Sequence, residues 1–387
     1  MHRRAIWAIG CGQLVNWGVL FFAFGVLLVP LEQAFSAPRW LVAGAFSLGL
    51  LVSAATAPVI GRLVDRGQGP AVMQAGGLLA AGLLLGWAAF PSIASTYIVW
   101  ALLGCCMSAI LYEPVFAMVG RAFDDASERM RAIATVTVMG GLASSVFLPG
   151  TAALNDRLGW RGATFTIAVI IATTTLIVGR TAFRDLEWSA ATIREAIAGD
   201  AMAGRRDVLP DLNRLVFVFA ISAIVNSALA SNLVAALMEG GFTPTLAASV
   251  AGLFGVLQLP GRLLMTSSRF APSAIGLVIF SFGLQALGLV ALALNGTPAL
   301  VVGVVVFAAG AGLTTLARPY WVLQRYGPAR AGQANGLIAR ASQLARAAGP
   351  VSAAALAVST SYAVVFGVLG ALLVAGSITA AGGRETS

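Results

Sequence analysis

Leu111-Tyr112-Glu113-Pro114 and Leu316-Ala317-Arg318-Pro319 occupy equivalent positions in the two halves of this 387-residue chain. The two tetrapeptides share a leucine and a proline, but the first carries an acid where the second carries a base. Each lies inside a long apolar run, where a charged side chain costs roughly 2.5–3.5 kcal/mol on membrane-insertion scales. Two such charges of opposite sign predict a polar site on the axis between two related halves.

The composition indicates an integral membrane protein. Hydrophobic residues make up 59% of the chain, charged residues only 10%, and the mean hydropathy is +0.89. Soluble domains carry about 25% charged residues, so an ordinary globular protein is excluded. The net charge of +9 comes from 24 basic residues, all arginine, which lie between apolar segments rather than in one patch. This distribution is typical of inside loops of a membrane protein, and it argues against a nucleic-acid partner.

Twelve apolar segments of helical length are predicted, six on each side of a polar stretch. Each is close to the roughly 20 residues that a helix needs to cross the hydrocarbon core of a bilayer. The segments cover about residues 5–30, 40–61, 71–90, 94–119, 132–154, 162–180, 213–237, 244–264, 273–294, 298–323, 332–357 and 361–381.

The order of these segments predicts the domains. We expect an all-α integral membrane fold with twelve transmembrane helices in two pseudo-symmetric six-helix bundles. The first bundle is residues 1–180, the second is residues 212–387, and residues 181–211 form a cytoplasmic connector.

The arginines between the segments predict the orientation of the protein in the cell membrane. With the N-terminus in the cytoplasm, eighteen arginines lie inside and only Arg39, Arg157 and Arg161 lie outside. Positive residues concentrate on the cytoplasmic side of membrane proteins. An even number of spans then returns the C-terminus to the cytoplasm.

The halves also match elsewhere, with a shift of about 200 to 210 residues. The stretch 59–63 corresponds to 259–263, Asn16 to Asn226, and Pro149 to Pro350. The common order of these matches indicates an internal repeat, which is a feature of secondary transporters with a site between the repeats.

Between the second and third predicted spans, Gly61-Arg62-Leu63-Val64-Asp65-Arg66-Gly67 resembles the signature of the major facilitator superfamily. Gly159-Trp160-Arg161, before the sixth span, is also similar to that family. The resemblance extends over the whole chain in the number and order of spans. It implies a monomeric transporter in the lipid bilayer that works by alternating access. It also implies a cytoplasmic gate, with a gating motif formed by Gly61, Asp65, Arg66, Arg121 and Arg129.

Glu113 and Arg318 are the leading candidates for coupling. The resemblance places their helices along the central cavity. Either Glu113 titrates, or it holds Arg318 until an anionic substrate displaces it, or the two form a permanent ion pair that sets helix packing. Burial raises the pKa of a carboxyl group and a neighbouring arginine lowers it, so the sequence leaves these alternatives open.

A second polar group, Arg340, Gln343 and Arg346, lies within the eleventh predicted span. The three residues share one broad helical face. Arginine suits carboxylates because its planar guanidinium donates two parallel hydrogen bonds and keeps its charge. An excess of intramembrane arginine over Glu113 predicts an anionic substrate. Arg340 alternatively extends toward the lipid headgroups.

Four uncharged residues complete the predicted substrate site. Asn16 and Asn226 are amides in the first span of each half, and either bind substrate or bond neighbouring helices. Tyr112 and Tyr320 flank the charged pair and either line the cavity or pack the helices.

We therefore expect a secondary transporter of a small, carboxylate-like organic anion, with proton coupling or anion exchange. The alternative is proton-coupled efflux of drug-like or hydrophobic molecules. Efflux is less favoured because Trp100 stands where the family's drug antiporters carry an arginine, and because Leu148-Pro149-Gly150 replaces their Gly-Pro pair. We expect no enzyme activity, cofactor or metal, since the chain has no GxxxxGK[ST] loop and only one histidine.

Overall fold

The computed structural model describes residues 2–122, 126–185, 211–260, 273–294 and 296–382. Within these ranges the side chains of Asp65, Arg121 and Arg129 are among those not described. All regular secondary structure in the described ranges is helical, and no strand occurs there. The all-α fold expected from the sequence is therefore confirmed.

Eight α-helices precede residue 186, and two π-helical turns lie among them at Gly18–Phe22 and Val64–Gln68. The helices are α1 (His2–Trp17), α2 (Ala23–Phe35), α3 (Arg39–Leu63), α4 (Gly69–Ala89), α5 (Ile93–Ile110), α6 (Tyr112–Ala122), α7 (Ala126–Gly141) and α8 (Ala143–Asp185).

Five further helices are described after residue 210. They are α9 (Leu212–Glu239), α10 (Pro244–Leu257), α11 (Ala274–Ala293), α12 (Thr297–Ser359) and α13 (Tyr362–Ala381).

Short polar side chains set several of the helix starts. Ser92 and Ser95 form a reciprocal capping box at the start of α5, in which each side chain accepts the other's backbone N–H. Thr243, Ser273 and Ser361 each accept a backbone N–H of the first turn of α10, α11 and α13. These bonds satisfy amides that have no partner inside the helix.

Glycines mark two of the boundaries that the sequence predicts. Gly67 has φ 83° in the π-helical turn between α3 and α4, and Gly159 has φ 67° inside α8. Only glycine adopts this region readily, because it has no Cβ. The break at Gly159 separates the predicted spans 132–154 and 162–180.

Close contacts divide the chain into two compact units. The first unit is Met1–Leu27 with Leu48–Val208, and the second is Leu28–Ser47 with Leu209–Ser387. The predicted bundles 1–180 and 212–387 remain a prediction, because most of the connector 181–211 lies outside the described residues.

In the first unit α1 packs on α7 and α8, and α4 packs on α5 and α8. The backbones of α3 and α5 meet at two glycines. A Cβ added to Gly104 would lie 2.2 Å from the carbonyl oxygen of Gly49. Small residues at such a crossing allow the close approach that van der Waals packing requires in a membrane.

In the second unit α12 packs on α9 and α11, and α13 packs on α11. The crossing of α11 and α12 again uses glycines: a Cβ on either Gly288 or Gly303 would lie 2.8 Å from the other's carbonyl oxygen. The same packing device therefore occurs in both units.

Nine helical stretches among the described residues are long and apolar enough to cross a membrane. One of them, Ala132–Ala182, covers two of the predicted spans, and Pro244–Leu257 is a shorter apolar helix within another. Large apolar side chains such as Phe90 and Ile378 are exposed, at 80% and 67%. Such surfaces suit lipid, so the structure is that of an integral membrane protein. The count of twelve spans stays a prediction.

Candidate functional site

The acidic tetrapeptide forms a break between two helices. Helix α5 ends at Ile110, Leu111 is extended (φ −79°, ψ −161°), and α6 begins at Tyr112. Pro114 has no N–H and therefore cannot donate to the carbonyl of Ile110 four residues earlier. The break leaves that buried carbonyl in need of a donor from elsewhere.

Two amides of α1 provide the donors. Gln13 Nε2 donates to the Ile110 oxygen at 2.6 Å, and Asn16 Nδ2 donates to the same oxygen at 3.1 Å. Gln13 is fully buried and Asn16 nearly so. The amide nitrogen of Asn16 is thus used to bond a neighbouring helix. A contact between Asn16 and substrate stays a prediction.

An aromatic group lies beside this break. The rings of Trp17 and Tyr112 have centroids 4.9 Å apart, and Tyr112 stacks on Phe116 at 5.0 Å. The Tyr112 hydroxyl donates to the Thr137 carbonyl at 3.3 Å, which joins α6 to α7. Glu113 follows Tyr112 and its side chain is exposed on the surface of this unit. Tyr112 therefore packs against neighbouring helices, which is one of the two roles predicted for it. Its other predicted role, lining the cavity, stays a prediction.

A small open cleft lies in the first unit between α1, α4 and α8. Its polar lining comes from Gln13 and Asn16 on α1 and from Thr174 and Thr175 on α8. The cleft shows that the amide-bearing face of α1 is not packed throughout by apolar side chains.

The predicted basic residues lie on one long helix of the second unit. Helix α12 contains five arginines and no acidic residue. Arg318, Gln343 and Arg346 are half-buried, whereas Arg340 is exposed. The exposure of Arg340 is compatible with its predicted extension toward the headgroups. Tyr320, two residues after Arg318, is also half-buried.

The backbone around Arg346 is bonded by α9. Pro350 cannot donate to the Arg346 carbonyl, and Ser227 Oγ donates to that oxygen instead, at 2.7 Å. One turn further, Asn232 Nδ2 donates to the Pro350 carbonyl at 3.3 Å. Gly349 permits this contact, because a Cβ there would lie 2.2 Å from the Ser227 hydroxyl.

The structure contains a buried polar network around Asn226 that the sequence analysis did not predict. Asn226 Nδ2 donates to the Ser222 carbonyl at 2.8 Å and lies 3.5 Å from Gln285 Oε1. Gln285 Nε2 donates to Thr314 Oγ1 at 2.8 Å, and Ser281 bonds the same hydroxyl. The spacing of Ser281 and Gln285, four residues apart in an apolar helix, is the signal that predicts a shared polar face.

Sequence reasoning also missed a charged cluster around Arg39. Arg39 Nε contacts Glu32 at 2.8 Å, Arg39 Nη1 contacts Glu239 at 2.5 Å, and the guanidinium lies 5.8 Å from the Tyr362 ring centroid. All four residues belong to the second unit. Three residues separate α2 from α3, and Glu32 and Arg39 lie on either side of them. The signal in the sequence is a charged residue near the end of each of two consecutive apolar segments.

Asp65 and Arg66 of the predicted gating motif lie within the π-helical turn at Val64–Gln68, and Gly61 precedes that turn in α3. Gly61 is exposed, with no atom within 4 Å of an added Cβ, and Arg66 is exposed as well. Gly67, with φ 83°, makes the turn in this segment. The side chains of Asp65, Arg121 and Arg129 lie outside the described part of the chain, so the gating contacts stay a prediction.

Two compact helical units, apolar outer surfaces and buried polar groups at proline-broken helices define a polytopic α-helical membrane protein. The chain belongs to the Major Facilitator Superfamily, whose family profile matches residues 9–268. The resemblance seen in the sequence is thereby confirmed, and the protein is a transporter of this superfamily.

Solved structures of transporters share the fold. The peptide transporter POT in complex with sulfate has a TM-score of 0.74 and 14% identity, covering 98% of this chain and 94% of that chain. A mutant of POT in complex with alafosfalin has a TM-score of 0.74 and 15% identity, over 97% of this chain and 93% of that chain. The nucleoside transporter NupG has a TM-score of 0.71 and 13% identity, over 97% of both chains. No match was found among curated proteins.

Proposed function

We propose that this transporter moves a small organic anion of the carboxylate class across the cytoplasmic membrane by alternating access. The observation that carries the proposal is the charge of the two predicted spans in α12, residues 298–323 and 332–357, which hold Arg318, Arg340 and Arg346 and no acid. A charge inside a transmembrane helix is costly and most often serves function. A helix with only positive charges favours an anionic substrate.

Arg318, Gln343 and Arg346 are the proposed substrate contacts on this helix. All three residues are half-buried, so none of them is wholly excluded from solvent. A guanidinium donates two parallel hydrogen bonds to a carboxylate and keeps its charge in a poorly solvated site. Tyr320 and Tyr112 supply aromatic walls, and Asn16 and Asn226 supply amides, in this proposal.

Glu113 is the proposed coupling residue. It directly follows the helix break at Leu111, where a change in the angle between α5 and α6 would move its carboxylate. In a proton-coupled cycle Glu113 takes up and releases the proton. In an exchange cycle it pairs with Arg318 when no anion is bound.

Anion binding is tested by thermal unfolding of purified protein with mono- and dicarboxylates, and with lipophilic cations. We expect a carboxylate to raise the unfolding midpoint, because a ligand that binds only the folded state stabilises it. The shift should disappear in Arg318→Ala and Arg346→Ala. It should persist in Arg325→Ala, a matched control on the same helix whose guanidinium pairs with Asp211 at 2.6 Å.

The competing outcome is stabilisation by lipophilic cations alone. That result would reject the anion proposal and favour efflux of drug-like molecules, while the family assignment would stand. Proteoliposome uptake of the stabilising carboxylate then distinguishes proton coupling from exchange. An imposed pH gradient drives the first, and a preloaded internal anion drives the second.

We also propose that the two ends of the chain lie in the cytoplasm and that the transporter acts as a monomer. The excess of arginines in the predicted inside loops supports the orientation. Fusing a fluorescent protein that matures only in the cytoplasm after residue 387 tests it. A dark fusion that is still inserted in the membrane would reverse the assignment.

A further inference from the structure

Among the prolines inside the helices, Pro114 and Pro350 each leave a backbone carbonyl in need of a donor, one in each unit. Pro114 deprives the Ile110 carbonyl of its intrahelical N–H, and Pro350 deprives the Arg346 carbonyl in the same way. The first carbonyl lies just before Tyr112 and Glu113, and the second belongs to a proposed anion-binding arginine. Both therefore lie beside charged residues of the proposed site.

The donor to each carbonyl lies on the first helix of that half of the chain, α1 in the first half and α9 in the second. Gln13 and Asn16 of α1 bond Ile110 across 97 and 94 residues of sequence, and Ser227 of α9 bonds Arg346 across 119 residues. All three side chains donate to a backbone oxygen. The bonds therefore fix the main chain, whatever side chain stands at positions 110 and 346.

Among the described residues, Gln13 makes its side-chain hydrogen bond through the amide nitrogen. Gln13 is fully buried, and its Oε1 has no hydrogen-bond partner among the described residues. The useful part of Gln13 is thus the N–H that it donates to Ile110.

We propose that Gln13 and Ser227 are positioning residues for transport, which hold the broken helices so that Glu113 and Arg346 stay in place. The Ile110 oxygen lies at the point where α5 gives way to α6, so a bond there fixes the angle between the two helices. A displacement of α1 then moves the segment that carries Glu113. This inference rests on the proposed function for its effect on transport, but not for its effect on the helix break.

Amide hydrogen exchange on the ligand-free protein tests the helix break directly. In Gln13→Leu we expect exchange of the amides in residues 111–116 to rise at least about tenfold, with an unfolding midpoint close to that of the wild type, because Asn16 still donates to the Ile110 oxygen. Cys11→Leu changes an exposed position one half-turn away on the same helix and should leave exchange unchanged. Unchanged exchange in Gln13→Leu would overturn the inference, whether or not the protein carries anions.

Uptake measurements test the second residue. Ser227→Ala should raise the KM for the transported carboxylate at least about tenfold, because the Arg346 backbone loses its donor. Ser231→Ala is the matched control: both serines are 1% exposed, and the Ser231 hydroxyl donates to carbonyls of its own helix. Equal KM values in the two variants would overturn the role of Ser227.

The two readouts separate the inference from the proposed function. Increased exchange in Gln13→Leu, together with no uptake of any carboxylate by the wild type, would reject the anion proposal and keep the helix-positioning bond. A transport loss in Gln13→Leu that accompanies an equal loss of thermal stability would show a purely structural role, and would overturn the inference.

Discussion

Arg39 and Glu239 are 200 residues apart in the chain, and Arg39 Nη1 lies 2.5 Å from Glu239 Oε1. The Nε atom of the same guanidinium lies 2.8 Å from Glu32 Oε2, and its Nη1 lies 3.3 Å from the Tyr362 hydroxyl. One arginine thus bridges two carboxylates and reduces the repulsion between them. The cluster joins α2, α3, α9 and α13 within the second unit.

Removal of this arginine is expected to destabilise the second unit. Arg39→Ala leaves Glu32 and Glu239 without their shared cation, and the guanidinium is only 13% exposed. We expect a loss of about 1–3 kcal/mol, below the cost of breaking a fully buried pair. Thermal unfolding in detergent measures the loss. Arg161→Ala, in which the exposed guanidinium faces the Trp160 ring at 5.7 Å, should change stability by less than about 0.5 kcal/mol.

The two acids of the cluster should contribute unequally. The side chain of Glu32 is 27% exposed and that of Glu239 is 52% exposed, so water and salt screen the second contact more strongly. Glu32→Gln is expected to lower the unfolding midpoint more than Glu239→Gln. Raising the salt concentration to about 1 M should reduce the effect of Glu239→Gln further. The reverse order of the two variants would contradict this account.

The contact between α3 and α5 depends on the missing side chain of Gly104. In Gly104→Ala the new Cβ would lie 2.2 Å from the Gly49 oxygen, so the helices must separate. We expect a destabilisation of about 1–3 kcal/mol, typical of overpacking. Gly82→Ala provides the control, since no atom lies within 4 Å of its added Cβ. That variant should be neutral or stabilising by up to about 1 kcal/mol through helix propensity.

Arg214 is expected to hold the end of the last helix. Its guanidinium donates to the carbonyls of Thr379 and Ala380 at the C-terminus of α13 and lies 5.3 Å from the Trp321 ring centroid. A cation at this position compensates the helix dipole and satisfies carbonyls without an intrahelical partner. Arg214→Ala should increase hydrogen exchange near the end of α13 and reduce stability by about 1–2 kcal/mol. Arg62→Ala, an exposed arginine at the end of α3, is the control, and equal exchange in both variants would contradict the prediction.

The candidate site was only partly predictable from the sequence. Pro114 and Pro350 each predict a missing hydrogen bond in their helix, because the lack of a backbone N–H is a property of proline itself. The donors that compensate them are not local. Nothing in the sequence near Gln13 indicates that its amide bonds Ile110. For Asn16 the sequence leaves open a substrate contact or a bond to a neighbouring helix, and its amide nitrogen makes the helix bond, to the same oxygen.

The sequence by itself determined that the protein is an all-α membrane transporter of the Major Facilitator Superfamily. The length of the apolar segments and the placement of the arginines reflect the transfer of each segment into lipid, and the Gly61–Gly67 signature reflects a local turn. Each of these features can be recognised within a short stretch of sequence. The tertiary structure alone decided which polar groups meet, as in the pairs of Arg39 with Glu239, Ser227 with Arg346, and Gln285 with Thr314. These contacts join residues between 29 and 200 positions apart. Their geometry follows from how whole helices pack, because a buried polar group must find its partner on whichever helix lies beside it.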